Sequence, residues 1–261
     1  MSGPPSLSQG VSVQVRGLCK SYDGRPAVID VSLEVARGET FVIIGPSGSG
    51  KTVLLKHIIG LETPDAGDIL IEGESIRSPG VMDRYRLAMV FQSGALLNSL
   101  TVGENVGLYL AEHGLKTPAE IGRIVAEKLA LVGLQGEEGK YPSELSGGMK
   151  KRVAIARALV IDPQLILYDE PTSELDPVMA VTVYREMLHL KNRLRATSFI
   201  VTHDRDLAFA VADRVGVMQA GQILLVGTPA EVRNSADPVV QRFLTVGFDN
   251  PVPKSSYEKH P

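Results

Sequence analysis

One octapeptide restricts the fold of this chain more than any other feature. Residues 45–52 read GPSGSGKT and fit the pattern G-x-x-x-x-G-K-[ST]. A short apolar run rich in β-branched residues, 40–44, precedes the octapeptide, and a helix is predicted from Lys51 to about Gly60. A strand, a glycine-rich turn and a helix in this order favour an α/β domain with a buried, mainly parallel sheet.

The residue types in this octapeptide suit the binding of phosphate groups. Glycines let backbone N–H groups turn toward phosphate oxygens where a Cβ would clash, and the N-terminus of the following helix attracts the same anion. Lys51 can reach the β- and γ-phosphates and the Thr52 hydroxyl can bind Mg²⁺. A chance glycine-rich turn is the alternative, and the strand and helix around the motif disfavour it. The predicted nucleotide-binding residues are Gly45, Pro46, Ser47, Gly48, Ser49, Gly50, Lys51 and Thr52.

A second candidate segment is an apolar strand at residues 165–168, followed by Asp169 and Glu170. Ligands of open α/β sheets bind at the carboxyl ends of the strands. Asp169 is therefore predicted to hold Mg²⁺, directly or through water, and Glu170 to orient and deprotonate an attacking water. The alternative is a strand that ends in solvent with polar residues.

Strand and helix patterns alternate along most of the chain, but they stop alternating at about residues 95–160. Three stretches there have helical periodicity: 101–113, 118–132 and 146–160. We interpret this block as a helical subdomain inserted into an α/β core. Residues 1–10 are rich in Ser, Pro and Gly and are expected to be flexible, residues 11–233 to form the main domain, and residues 234–261 to form a C-terminal extension.

Composition limits the classes of function. A net charge of −3 does not favour non-specific binding of nucleic acid, so no nucleic-acid partner is expected. The single cysteine, Cys19, cannot form an intramolecular disulfide or a multi-cysteine metal site. No apolar run approaches the roughly 18 residues of a membrane-spanning helix, and the first ten residues do not read as a secretory signal. We therefore expect a soluble protein that reaches a membrane only through a partner.

Residues 145–149, LSGGM, resemble the signature loop of ABC-type ATPases, which usually reads LSGGQ. Ser146, Gly147 and Gly148 at a predicted helix N-terminus form a second candidate anion-binding turn. The resemblance implies that this turn serves ATP bound to a neighbouring copy, so that two chains enclose two ATP molecules.

Other residues match the same family in order along the chain. Tyr22 lies where these ATPases carry an aromatic residue that stacks on adenine, and Gln92 resembles the glutamine that senses Mg²⁺ and the attacking water. Residues 173–176, which include Asp176, resemble the D-loop at the dimer interface, and His203 resembles the switch histidine that contacts the γ-phosphate. The resemblance covers about residues 11–230.

The family resemblance carries expectations about the fold and the ligands. It implies a P-loop NTPase fold of ABC type, with a mainly parallel core sheet, an N-terminal antiparallel β subdomain and an inserted helical subdomain, and an ATP hydrolase that uses ATP and Mg²⁺. Two positions depart from the family pattern. Met149 replaces the usual Gln, and the turn is still expected to bind phosphate. Glu174 replaces a usual Gly or Ala, and an acid at a dimer interface costs desolvation unless it is paired.

Residues 92–102 correspond to a segment that, in ABC systems, helps line the groove for a coupling helix of the membrane permease. Residues 92–96 (QSGAL) and Met149 are similar to the Mla/Mce-associated ATPases, and so are tail residues 237–238 (DP), 241–244 (QRFL) and 251–253 (PVP). The resemblance implies transport of phospholipid or other lipid between envelope membranes.

That resemblance also implies partners and a location. The expected complex contains two copies of this chain beneath two permease subunits at the cytoplasmic face of the inner membrane, with an MCE-type lipid-binding protein and a small STAS-type subunit as a further candidate. The alternatives are an ABC ATPase for another substrate, a soluble ABC protein of repair or translation, and a small-molecule kinase. A kinase would leave residues 145–149, residues 173–176 and His203 unexplained.

Several polar or reactive residues are predicted to have no functional role. Lys150, Lys151 and Arg152 are interpreted as a solvated basic face of the helix that follows Ser146, and Cys19 as a small core residue.

Overall fold

The structure is a computed structural model that describes residues 10–246 of the 261. The strands are β1 (Val13–Tyr22), β2 (Arg25–Val35), β3 (Thr40–Ile44), β4 (Ala66–Ile71), β5 (Glu74–Ser75), β6 (Leu87–Val90), β7 (Leu165–Asp169), β8 (Thr197–Thr202), β9 (Arg214–Gln219) and β10 (Gln222–Gly227). The helices are α1 (Lys51–Ile58), α2 (Val81–Arg84), α3 (Val102–Glu112), α4 (Pro118–Leu131), α5 (Gly147–Leu159), α6 (Pro177–Arg193), α7 (Arg205–Val211), α8 (Pro229–Arg233) and α9 (Pro238–Val246).

Two sheets form the framework. The first is antiparallel, with strand order β2-β1-β4-β5, and the second has the order β10-β9-β3-β8-β7-β6. In the second sheet β9, β3, β8, β7 and β6 are parallel, and only β10 runs antiparallel, to β9. The predicted α/β class, with an antiparallel N-terminal sheet and a mainly parallel core sheet, is confirmed.

The core lies on both faces of the parallel sheet. All five residues of β3 are buried, and successive side chains point to opposite faces. Val42 and Ile44 face a cluster that includes the helical block, whereas Phe41 and Ile43 face a cluster that includes the antiparallel sheet and α1. Because each face of the sheet is covered, the functional side chains can reach solvent only at the ends of the strands.

The inserted helical block consists of α3, α4 and α5, which pack against one another between β6 and β7 in the chain. Thr101 and Thr117 cap α3 and α4, each in a capping box with the glutamate three residues later. The predicted helices at 101–113, 118–132 and 146–160 are therefore confirmed to within about two residues at each end.

Strands β1 and β2 are joined by a tight hairpin, in which Asp23 and Gly24 both adopt positive φ (48° and 74°). Gly10, placed in the flexible N-terminus, is buried, and its N–H donates to the Arg195 carbonyl at 2.8 Å. Residues 1–9 lie outside the described part of the chain.

The C-terminal region contains two helices that the sequence reading did not identify. Helix α9 buries Val240 and Phe243 in the chain's own core, and the Arg205 guanidinium donates to the carbonyls of Phe243 and Leu244 at the end of α9. The similarity at residues 251–253 falls outside the described residues. Within residues 10–246, no helix combines the length and apolar character needed to cross a membrane.

Candidate nucleotide site

Three parallel strands bring the predicted chemical groups to one edge of the sheet. Strands β7, β8 and β3 are neighbours, with Asp169 opposite Val201 and Ile44 opposite Thr202. The residues that follow these strands therefore emerge side by side. We call residues 45–52, which follow β3, the phosphate loop; Glu170 and His203 follow β7 and β8.

The glycines of the phosphate loop are required by the surrounding protein as well as by its backbone shape. Gly48 and Gly50 have φ of 77° and 101°, a region that favours glycine. A Cβ on Gly50 would lie 2.3 Å from the Ala27 carbonyl oxygen, and one on Gly45 would lie 2.1 Å from that of Met218. The loop is thus clamped between the start of β2 and the end of β9.

The Lys51 side chain connects the phosphate loop to Glu170. Its Nζ donates to the carbonyls of Gly45 and Pro46 at 2.9 and 3.0 Å and lies 3.5 Å from Glu170 Oε1. Burial lowers the pKa of Lys51, and the nearby carboxylates of Glu170 and Asp169 oppose that effect. The ammonium group is held at the point where the loop and the end of β7 meet.

Asp169 and Thr52 form the candidate cation site. The Thr52 hydroxyl donates to Asp169 Oδ1 at 2.8 Å, and burial raises the pKa of Asp169. Within the described residues, no group of three or more His, Cys, Asp or Glu side chains could hold a metal ion by itself. A carboxylate and a hydroxyl fit Mg²⁺, which takes few protein oxygens and completes its shell with water and substrate phosphates.

Glu170 is tied to the end of β8. Its Oε2 accepts from the Thr202 hydroxyl and the His203 N–H, both at 3.1 Å, and lies 2.8 Å from His203 Nδ1. Glu170 is buried and has φ of 46°, a backbone strain of about 1–3 kcal/mol for a residue with a side chain. The side chain is therefore held in one orientation, beside the half-exposed ring of His203.

Asp204 forms a junction that sequence reasoning missed. Its Oδ2 accepts from the hydroxyls of Thr172, at 3.0 Å, and Tyr184, and its Oδ1 accepts from the Leu207 N–H at the start of α7. These bonds connect the segment after Glu170, helix α6 and the residue after His203. Burial raises the pKa of the Tyr184 hydroxyl, which therefore stays a hydrogen-bond donor.

The signature turn, residues 146–148, lies on a different part of the molecule. Ser146 caps α5, with its Oγ accepting from the Met149 N–H at 3.3 Å, and both Ser146 and Gly147 are exposed. A Cβ on Gly147 would lie 3.2 Å from Leu175, and one on Gly148 would lie 3.4 Å from Met179. Helix α5 packs against α3, α4, α6 and β6, whereas the phosphate loop follows β3.

Of residues 173–176, which are predicted at a dimer interface, Glu174 and Asp176 are exposed in the single chain and Ser173 is buried. Asp176 Oδ1 accepts from the N–H groups of Val178 and Met179, both at 3.0 Å, and so caps α6. Glu174 is exposed with φ of 65°, a conformation that glycine adopts without strain. The side chain of Glu174 therefore bears no desolvation cost within one chain.

Tyr22 and Gln92 are also exposed. The Tyr22 hydroxyl donates to Glu62, the Lys20 ammonium lies 5.5 Å from the Tyr22 ring centroid, and burial together with Glu62 raises the pKa of Tyr22 to about 12. Gln92 lies two residues after the end of β6, and its backbone carbonyl accepts a hydrogen bond from Lys151. Their predicted contacts with nucleotide stay predictions.

The predicted solvated basic face was wrong for Lys151. This side chain is only 6% exposed, and its Nζ donates to the Gln92 carbonyl and to Ser173 Oγ, the latter at 3.1 Å. The sequence carried a signal, because Gly148, Lys151 and Ile155 share the spacing of one buried helix face. Arg152 likewise donates to the Val132 carbonyl at 3.1 Å. The two cations hold parts of the fold together.

The fold and the edge of the sheet define a P-loop nucleoside triphosphatase. A strand, a glycine loop and a helix carry Lys51 and Thr52, and β7, separated from β3 by β8, ends in Asp169 and is followed by Glu170. A family model described as "ABC transporter" matches residues 28–173.

Curated relatives match most of the chain. The probable ribonucleotide transport ATP-binding protein mkl of Mycobacterium leprae is 41% identical over 248 residues, 94% of this chain and 72% of that protein. The sulfate/thiosulfate import ATP-binding protein CysA of Caulobacter vibrioides is 40% identical over 230 residues, 87% and 68% of the two chains. The chloroplastic protein TRIGALACTOSYLDIACYLGLYCEROL 3 of Arabidopsis thaliana is 38% identical over 262 residues, 93% and 76%.

A solved structure shows the same fold. It is a dimeric, post-hydrolysis state of an ATP-binding cassette bound to ADP and Pi, with a TM-score of 0.75 and 30% identity, covering 83% of this chain and 98% of that one. The chain belongs to the ABC transporter family as an ATP-binding, ATP-hydrolysing subunit that uses ATP with Mg²⁺. Cassettes of this family dimerise and act with membrane permease subunits. The small-molecule kinase alternative is thereby removed.

Proposed function

We propose that two copies of this chain hydrolyse ATP at shared sites and that this hydrolysis drives transport of phospholipid or another lipid between envelope membranes. The observation that supports the first half is the convergence of Lys51, Asp169 and Glu170 at the carboxyl ends of β3 and β7, which are separated by β8. The lipid half rests on sequence resemblance.

In this proposal the phosphate loop binds the triphosphate of ATP. Ser49 Oγ is buried in the loop without a hydrogen-bond partner, and Gly48 has open space around its Cβ position, so the loop has capacity for a ligand. Lys51 neutralises phosphate charge, and Tyr22 stacks on the adenine. Bound Mg²⁺ would neutralise further negative charge, and Thr52, Asp169 and Gln92 are the residues that would hold it.

Glu170 acts as the general base and His203 contacts the γ-phosphate. The Thr202 hydroxyl and the His203 N–H and ring hold Glu170 Oε2, while Oε1 faces Lys51. The orientation is thus fixed before substrate arrives, and a positioned base of this kind contributes about 10²–10⁴-fold to rate.

The signature turn of a second copy completes each site. Ser146 and Gly147 at the start of α5 are exposed, and a helix N-terminus favours an anion. Asp176, which caps the exposed start of α6, lies at the same interface. One chain alone therefore offers two half-sites, and a pair offers two whole sites.

A mixing experiment tests the shared site. Lys51→Ala removes the phosphate loop's ammonium, and Ser146→Arg blocks the signature turn. Each variant alone is expected to be inactive, but a heterodimer keeps one intact site. Random mixing in equal amounts should restore about a quarter of wild-type phosphate release, because half of the dimers are mixed and each has one working site of two. Absence of any recovery, with dimers present, contradicts the proposal.

The lipid half has four supports. Residues 92–96, Met149 and the tail residues 237–238 and 241–244 are each similar to the Mla/Mce-associated ATPases. The fourth support is that the Arabidopsis relative is named after a lipid, trigalactosyldiacylglycerol. The other two relatives are named for transport of ribonucleotide and of sulfate/thiosulfate. The second candidate function is therefore ATP-driven transport of a substrate other than lipid.

The permease contact in this proposal is the exposed segment 92–100. Phe91 and Leu97 are 38% and 46% exposed and flank Gln92, so they offer apolar surface for a coupling helix. The chain would lie at the cytoplasmic face of the inner membrane through two permease subunits, with an MCE-type protein and a STAS-type subunit in the complex. In this proposal residues 11–233 form the ATPase domain and residues 234–261 a C-terminal extension.

Purification of the intact complex from membranes tests this half. Mass spectrometry should identify a permease, an MCE-type protein and bound phospholipid in the eluate. Recovery of a permease for sugars or amino acids, without lipid, would remove the lipid proposal and leave the ATPase proposal unchanged.

A further inference from the structure

Lys151 lies where three chain-distant segments meet. It belongs to α5, and its Nζ bonds to the carbonyl of Gln92 after β6 and to Ser173 Oγ after β7. These partners are 59 and 22 residues away in sequence. Both Lys151 and Ser173 are buried.

Stability alone does not explain a lysine at this position. Removing an ammonium group from water costs several kcal/mol, and apolar residues of similar volume often replace buried charges without loss of stability. Burial lowers the pKa of Lys151, and the charges of Glu174, Glu170 and Asp169 oppose that shift. The position favours a cation that has several donors and a defined reach, which an apolar residue lacks.

The two partners of Lys151 lie beside proposed parts of the reaction. Gln92 begins the exposed segment 92–100, which Arg157 of the same helix also holds by the carbonyls of Gly94 and Ala95, at 2.7 and 2.6 Å. Ser173 is in the turn after the general base, with its N–H donating to the Glu170 carbonyl at 3.1 Å. Lys151 and Arg157 on α5 both bond to carbonyls of residues 92–95. Lys151 also bonds to Ser173 in the turn after Glu170.

We propose that Lys151 is a positioning residue for ATP hydrolysis, which sets the distance between Gln92 and the turn after Glu170 by bonding to both. Its position in α5, about one and a half turns from Ser146, lets it place the chain's own signature turn against the same two segments. This inference rests on the proposed roles of Gln92 and Glu170. Lys151 acts through these neighbours and touches no substrate atom.

The test compares Lys151→Met, Lys151→Arg and Ser173→Ala in the full-length chain, with Lys150→Met as the matched control. Met has similar length without donors, whereas Arg keeps a cation that can donate to both partners. We measure kcat and KM for ATP by phosphate release, and the melting temperature of each variant. Lys150 is the half-buried neighbour and undergoes the same chemical change.

The expected result is a loss in kcat without a loss in ATP binding. Lys151→Met should lower kcat by about 10- to 100-fold, since a displacement of about 1 Å has effects of that size, while KM stays within about threefold of wild type. Lys151→Arg should recover most of the activity, and Lys150→Met should retain it. Ser173→Ala should lower kcat by a smaller factor, and the double variant Lys151→Met/Ser173→Ala should be no slower than Lys151→Met.

Three outcomes would overturn the inference. They are a kcat for Lys151→Met within threefold of wild type, equal losses for the Lys150 and Lys151 variants, and multiplicative losses in the double variant. If Lys151→Met fails to fold, Ser173→Ala decides, because unchanged kcat there removes the proposed connection. The wild-type chain is the reference in every assay. If the wild-type chain does not hydrolyse ATP, the result counts against the shared ATP site. If both the wild-type chain and Lys151→Met hydrolyse ATP normally, the result counts only against the proposed role of Lys151.

Discussion

The phosphate loop and the signature turn are both anion-binding turns at helix N-termini, yet their surroundings differ. The phosphate loop is clamped by the backbones of β2 and β9, and the Lys51 ammonium is already bonded to two carbonyls of the loop. The signature turn is exposed, and its serine bonds only within its own helix turn. One half-site is complete within the chain, and the other is left open to a partner.

This difference separates binding from turnover. In the proposed mechanism, the preformed phosphate loop allows a single chain to bind ATP, whereas hydrolysis requires the signature turn of the second chain. Variants in the buried half should change chemistry or stability, and variants in the exposed half should change association and turnover with little effect on the fold.

The largest expected effect is that of Glu170→Gln. Glutamine keeps an acceptor for Thr202 and the His203 N–H but cannot take a proton from water, so kcat should fall by about 10²–10⁴-fold. ATP should then hold two chains together, which size-exclusion chromatography with light scattering would detect. Glu112→Gln, an exposed change at the end of α3, is the control and should leave both readouts unchanged. A Glu170→Gln protein that turns over ATP normally would remove Glu170 from the role of base.

A smaller effect is expected for Ser146→Ala, compared with Thr117→Ala. Both residues are N-caps whose hydroxyl accepts one backbone N–H, so each change should cost about 1 kcal/mol of stability. Only Ser146→Ala should also reduce ATP hydrolysis, by about tenfold, which is the size expected for loss of one or two hydrogen bonds to phosphate. Equal activity in the two variants would show that the hydroxyl of Ser146 serves only its helix.

The contrast between the two half-sites also explains what could be predicted from sequence. The phosphate loop follows β3, and Asp169 and Glu170 lie at the end of β7; both strands are short and fully buried. The apolar pattern of these strands and the sequence motifs beside them were enough to predict that these groups lie at one edge of the sheet. The helical block was predictable because Thr101 and Thr117 begin its helices with capping residues.

The residues that sequence reasoning missed act through contacts between distant segments. Lys151 reaches Gln92 and Ser173, and Asp204 reaches Thr172 and Tyr184, 32 and 20 residues away. No periodicity encodes such a bond. Because lysine side chains are rarely buried, Lys151 was predicted to be solvated, although its helical spacing placed it on a buried face. Helix α9 was missed because a nine-residue helix is marginal by itself and depends on tertiary contacts, here with α8 and with Arg205 of α7.

The smallest expected effect concerns the stability of the buried half without nucleotide. Burial raises the pKa of Asp169, so the folded chain binds its proton more tightly than the unfolded chain does. For a carboxyl of this kind, the contribution to stability is present below the unfolded pKa and is lost as pH rises through the folded pKa. Asp169→Asn removes the charge but keeps an oxygen acceptor for Thr52, so it should raise the melting temperature at pH 8 by a few degrees while abolishing hydrolysis.

The sign of the pH dependence distinguishes this explanation from a general gain in packing. As pH falls through the raised pKa of Asp169, the wild-type carboxyl takes up its proton within the folded chain, and the difference in melting temperature between Asp169→Asn and wild type should shrink. Asp206→Asn, an exposed change in the first turn of α7, should not raise the melting temperature, because it removes a favourable charge at a helix N-terminus. Calorimetry in EDTA without nucleotide measures both. If the difference in melting temperature between Asp169→Asn and wild type widened at acid pH, the Asp169 carboxylate would be stabilised in the folded chain. The negative charge of Asp169 would then not destabilise the buried half-site.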